Sequence, residues 1–179
     1  MTEFLNEKYI SIGQVKVLET QADKEELRKL FVEIFSLQNF VEEKRIIITD
    51  YYIKNYRFCQ QQAFNFEKTA TFLSIIHDIL QRDINLTTSE TSAIKSYQRF
   101  EEILLRHSVD RPPKSIKIFD RRDIEPIIDF VSERYFRNFM VFSSLFGKIS
   151  RVSIHQVLRN HIEQPPTIFP SLNTAVISR

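Results

Sequence analysis

Four histidines (His77, His107, His155, His161) and a lone cysteine, Cys59, are the side chains best suited to metal or nucleophile chemistry in this chain. His155 and His161 are six residues apart, off the i, i+4 spacing that brings two ligands to one helical face. With only Cys59 to join them, they supply no zinc ligand set. His77 and His107 each fall on an apolar helical stripe. Each reads as a core histidine satisfied by a hydrogen bond rather than as a catalytic base. Cys59, in Tyr56-Arg57-Phe58-Cys59-Gln60, reads as a buried, inert thiol, although Arg57 could lower its pKa were the two to meet. No nucleophile elbow, phosphate loop, dinucleotide fingerprint or H-E-x-x-H pattern occurs. No carboxylate stands out as isolated among apolar residues. The expectation is a non-enzyme without catalytic residues, cofactor or metal.

The composition frames that expectation. The chain has 179 residues, 25 Lys and Arg against 23 Asp and Glu, a net charge of +2 and 42% apolar residues. That is ordinary for a folded protein and excludes a collagen-like or disulfide-stapled chain. A single cysteine forms no internal disulfide, which fits a reducing compartment. Near-neutral charge argues against nucleic acid as a partner. No window approaches about 18 uncharged apolar residues, so no membrane span is expected, and neither terminus carries a secretory or lipidation signal. There are 2 glycines and 16 phenylalanines. The scarcity of glycine disfavours β-hairpins. The phenylalanine excess suits either a biased composition or anchors held for a partner.

The elements that would position these residues are mostly helical. Residues 9–18 alternate at Val15 and Val17 and read as a short strand. Residues 21–39 carry Leu27, Leu30, Phe31, Ile34 and Phe35 on one helical face, behind Asp23 and Glu26 as a cap. Residues 42–62 form a second helix with the stripe Ile48, Tyr52, Asn55, Tyr56 and Cys59. A third runs over 66–82, capped by Asn65, with Ala70, Leu73, Ile76, His77 and Leu80 sharing a face. The fourth covers 89–107 and ends before Pro112-Pro113, a pair that cannot continue a helix. Residues 114–119 alternate and read as a strand or extended segment.

The longest helix is expected over 123–145. It is apolar around much of its circumference and so reads as the central one, with Pro126 tolerable only near its first turn and Gly147 at its C-cap. Residues 149–158 could be strand or helix, and 160–179 read as an extended tail. The expectation is therefore a mainly α, compact multi-helix domain of about five helices over 1–159, with a few short extended segments and an extended C-terminal tail over 160–179.

Two stretches could face partners. Residues 111–122 are locally basic and could anchor an acidic partner or simply face water. The Phe-rich stretch from Phe130 to Phe146, flanked by Arg134, Arg137, Lys148 and Arg151, could be a core helix or a calmodulin-target helix.

The run Leu104-Leu105-Arg106-His107-Ser108-Val109-Asp110-Arg111-Pro112-Pro113-Lys114-Ser115-Ile116-Lys117-Ile118-Phe119, with Tyr135-Phe136-Arg137-Asn138-Phe139 and Phe58-Cys59-Gln60-Gln61-Gln62-Ala63-Phe64, resembles the family of coiled-coil domain-containing protein 189, or cilia- and flagella-associated protein 119. The resemblance covers residues 25–150, and H-S-V-x-R-P-P-x-S-I-x-I-F is its most specific piece. It implies a structural, non-enzymatic component of the cilium or flagellum axoneme, in a projection of the central-pair microtubules. A large scaffold protein and calmodulin would be its neighbours there, with microtubule association indirect. No sustained heptad supports the coiled coil that the family name promises. The residues expected to meet partners are Arg111, Pro112, Pro113, Ile116, Ile118, Phe119, Phe139, Phe142 and Phe146, with the 160–179 tail as a second contact.

Overall fold

The computed structural model describes residues 5, 8–21, 23–85, 92–112 and 115–146. Among these described residues seven α-helices follow in order: α1 (Ile12–Thr20), α2 (Lys24–Ile34), α3 (Glu42–Gln61), α4 (Phe66–Asn85), α5 (Ala93–Arg106), α6 (Arg121–Arg134) and α7 (Phe139–Phe146). The mainly helical expectation holds, and among the described residues there is no strand, only an isolated bridge between Arg111 and Ser115. Two more helices appear than expected, for identifiable reasons.

The first is α1, where residues 9–18 were expected to form a strand. Ser11 caps it, accepting from the Gln14 N–H while the Gln14 side chain accepts from the Ser11 N–H. Such a reciprocal cap satisfies two otherwise orphaned donors and favours helix. Val15 and Leu18 are buried, three residues apart, while Val17 faces water. The period is helical and not alternating.

The second arises because the expected 123–145 helix breaks at Tyr135 into α6, a 3-10 turn over Phe136–Asn138, and α7. The Asn138 amide donates to the carbonyls of Glu133 and Arg134, both at 3.3 Å. It thereby satisfies acceptors at the C-terminal end of α6 that a helix end leaves unpaired. Pro126 lies in the second turn of α6, further in than expected.

The central helix is α4, not the 123–145 segment. Every residue from Thr69 to Leu80 is buried, so α4 is covered on all sides. Asn65 caps it by accepting from the Lys68 N–H at 2.7 Å. α2 and α3 pack on one another and α1, α3, α5 and α7 pack against α4. One apolar cluster runs from Leu5 to Phe146. Aromatic pairs fill it, among them Phe58 stacked on Phe130 with centroids 4.0 Å apart. Offset stacking at that range adds to the burial of the rings themselves.

Charged side chains tie the helices together at the rim of the core. Lys68 bridges Asp120 at 2.8 Å and Asp123 at 2.6 Å, joining the start of α4 to the start of α6. Arg28 and Lys24 of α2 both hold Asp50 of α3. The Tyr9 hydroxyl donates to Asp78 at 3.0 Å, and Arg82 donates to the other carboxylate oxygen at 2.8 Å.

Among the described residues two backbone positions take the left-handed conformation and neither is glycine: Ser36 and Ala63, both with φ 51°. At Ala63 the Ala63 N–H bonds to the Gln60 carbonyl and the Phe64 N–H to the Cys59 carbonyl, both at 3.0 Å. This is a Schellman closure of α3, with alanine where glycine would be unstrained.

Candidate functional site

The region singled out by the sequence, residues 107–119, is organised around His107. α5 ends there as its backbone tightens, the Ser108 N–H bonding to the Leu105 carbonyl at 3.1 Å and the Ser108 hydroxyl to the Leu104 carbonyl at 2.7 Å. The ring of His107 is buried. Its Nδ1 donates to the Ile103 carbonyl at 2.9 Å and its Nε2 accepts from the Leu5 N–H at 3.3 Å. These roles define a neutral imidazole, and burial accordingly holds its pKa below the ordinary value. The His107 carbonyl accepts from the N–H groups of Ile118, at 2.7 Å, and Phe119, at 2.9 Å.

The chain turns after α5, with Arg111 and Ser115 exchanging backbone hydrogen bonds of 3.2 and 3.0 Å. It then runs extended beside the end of α5, where the Ile116 N–H donates to the Arg106 carbonyl at 3.0 Å. The expected extended segment is present. Its N–H groups at Ile116, Ile118 and Phe119 are already bonded within the chain, so they do not form an open strand edge.

The structure divides the residues expected to meet partners. Arg111 and Pro112 are exposed, and Ile116 is 38% exposed on the same turn. Ile118, Phe119, Phe139 and Phe146 are buried in the core. Phe142 is half-buried and packs on Tyr51 and Tyr135. Pro113, the 147–159 stretch with Gly147, and the 160–179 tail lie outside the described residues.

Sequence reasoning missed a buried polar group. Asp83 lies in the core and accepts from the Ser96 hydroxyl and the Tyr135 hydroxyl, each at 2.6 Å. The expectation that no carboxylate sits among apolar residues is thus corrected. Burial raises the Asp83 pKa, while Ser96, Tyr135 and Arg99 oppose the rise. Burial also raises the Tyr135 phenol well above its ordinary range. The available signal was spacing: Asp83 continues the α4 stripe of Ile76 and Leu80.

His77, on the same helix, shares a 2.7 Å hydrogen bond with Tyr52 and stacks on Phe35 with centroids 4.4 Å apart. Burial lowers its pKa to about 4, with Asp78 opposing. Cys59 is buried, and burial pushes its thiol up. Asp83 ties α4 to Ser96 of α5 and to Tyr135, and His77 ties α4 to Tyr52 of α3. Among the described residues no group of three His, Cys, Asp or Glu could hold a metal ion, and no helix is long and apolar enough to cross a membrane.

The chain belongs to the CLAMP family, flagellar C1a complex subunit C1a-32, whose family model matches residues 54–154. The match runs from within α3, through the α5 turn and α6, to the end of α7 and beyond. Membership places the chain with the central-pair apparatus of the cilium or flagellum axoneme.

Proposed function

We propose that the chain is a non-enzymatic structural subunit of a central-pair projection, working by presenting a fixed helical surface to neighbouring axonemal proteins. Within that class it is similar to the coiled-coil domain-containing protein 189, or cilia- and flagella-associated protein 119, family. A large scaffold protein is its principal neighbour, and its association with microtubules runs through that neighbour. The family match over residues 54–154 carries this reading. The exposed turn at Arg111, Pro112 and Ile116 supports it, because its backbone is fixed by His107 and Arg106 while its side chains face water. A pre-organised surface loses little freedom on binding.

A calmodulin-binding role for residues 127–151 is the alternative. It requires α7 to leave the core, because Tyr135, Phe139 and Phe146 are buried and the helix is interrupted at Tyr135. A target helix must offer such anchors on one continuous face. A 127–151 peptide that gains helicity with calcium-loaded calmodulin, together with binding by the intact chain, would favour this alternative.

The test of the leading reading is affinity purification of the tagged chain from isolated axonemes and from cell bodies. Recovery of axonemal complex subunits from the axonemes is expected. Recovery from cell bodies alone would contradict the proposal.

A further inference from the structure

On the face formed by α3 and the α6–α7 segment, apolar side chains stand open to solvent. Ile46 and Ile47 are 43% and 41% exposed, and Val141 is 56% exposed. Together with Phe130 and Phe142 they line a groove of about 400 Å³. Large apolar residues clustered in this way differ from the scattered exposed residues normal on any surface.

Two observations define what would fill the groove. The first is charge. Lys54, Arg134 and Asp50 are its charged lining residues. Asp50 is held by Lys24 and Arg28, whereas Lys54 and Arg134 have no ion-pair partner among the described residues. The groove is therefore basic at its rim. The second concerns the chain's own C-terminal sequence. Residues 147–179 contain Lys148, Arg151, Arg159 and Arg179 against Glu163, the wrong sign to cover a basic rim.

We propose that this groove docks an acidic amphipathic helix from a partner protein. Its apolar face would lie on Ile46, Ile47, Val141 and Phe142, with carboxylates meeting Lys54 and Arg134. The inference rests on the reading of the chain as a docking subunit and adds the chemistry of one partner and the place it binds. Electrostatic complementarity around an apolar strip would give this site its selectivity.

The probe is an 18-residue model peptide with leucine along one helical face and glutamate beside it, compared with a leucine–lysine peptide of the same pattern. Each is titrated into the full ¹⁵N-labelled chain. The leucine–glutamate peptide is expected to bind more tightly and to shift resonances of α3 and α7. Lys54→Glu with Arg134→Glu should weaken it by about tenfold or more and reverse the preference between peptides. Val141→Ser, which keeps every charge, should weaken both peptides. Urea midpoints show that each variant is folded.

No binding by the full chain, equal affinity for the two peptides, unchanged affinity in both variants, or shifts confined to other helices would overturn the proposal. So would self-association of the wild-type chain that Val141→Ser abolishes, since a second copy would then fill the groove. The Arg111→Glu, Ile116→Asp variant should bind the peptide normally, so failure at the groove and failure of the axonemal reading are separable.

Discussion

The Tyr135 hydroxyl donates a 2.6 Å hydrogen bond to Asp83, a residue 52 positions earlier in the chain. The contact pins the break between α6 and α7 to the end of the central helix. Tyr135→Phe removes the donor and leaves Asp83 in the core with Ser96 as its remaining hydrogen-bond donor among the described residues. Hydrogen bonds to a buried carboxylate are among the stronger ones, so a loss of about 2 kcal/mol is expected. Urea denaturation at neutral pH measures it. A midpoint unchanged from wild type would show that the contact does not hold the break in place.

Acid should weaken the fold through His77. Its pKa in the folded chain is about 4 against an ordinary 6.5, so the unfolded chain binds the extra proton first. The stability that neutral His77 contributes is complete above about 6.5 and is lost as pH falls toward 4. A depression of that size corresponds to about 3 kcal/mol over the window. His107, also held low by burial, acts in the same direction. Asp83 acts oppositely: its raised pKa contributes most in acid, and that contribution is lost as pH rises through the folded value. The urea midpoint should fall steadily from pH 7 to pH 5, and the slope should flatten in His77→Gln. An equal slope in that variant would exclude His77 as the source.

Ala63 offers a stabilising substitution. Its φ of 51° costs a non-glycine residue about 1 kcal/mol, while glycine adds some entropy to the unfolded chain. Ala63→Gly should therefore raise stability by about 0.5 kcal/mol, read as a higher melting temperature. A lower melting temperature would mean that the Schellman closure of α3 is not strained.

How much of this was legible in the sequence depends on the kind of signal. The stripes of α2 and α3 were plain, because Leu27, Phe31, Ile48, Tyr52 and Cys59 keep helical spacing and are buried. The central helix was misplaced. The 123–145 segment has more aromatic residues, but α4 has an uncharged run from Thr69 to His77, and the absence of charge on every side was the better sign of full burial. α1 was missed because Val15 and Val17 suggested alternation, although Ser11 and Gln14 carried a capping pattern. The break at Tyr135 was only partly local information: Asn138 caps α6 from four and five residues away, but the Tyr135 bond to Asp83 spans 52 positions. Among the residues expected to meet partners, local alternation did not separate exposed Ile116 from buried Ile118.

That distinction decides which substitutions can probe binding. Ile118→Asp puts a charge where the side chain is 8% exposed and should cost about 3 kcal/mol or more. Ile116→Asp, on the exposed side, should change stability by less than about 0.5 kcal/mol. Circular dichroism melts of the two proteins would show it. Equal losses would mean that the segment does not present its two isoleucines to different surroundings.

The most direct test of the proposed role uses Arg111→Glu combined with Ile116→Asp in a tagged chain, purified from isolated axonemes beside the wild type. Wild type should recover its axonemal neighbours, and the double variant should lose most of that recovery with its melting temperature unchanged. Full recovery by the folded variant would contradict the account of this turn as the surface through which the chain is held in the projection.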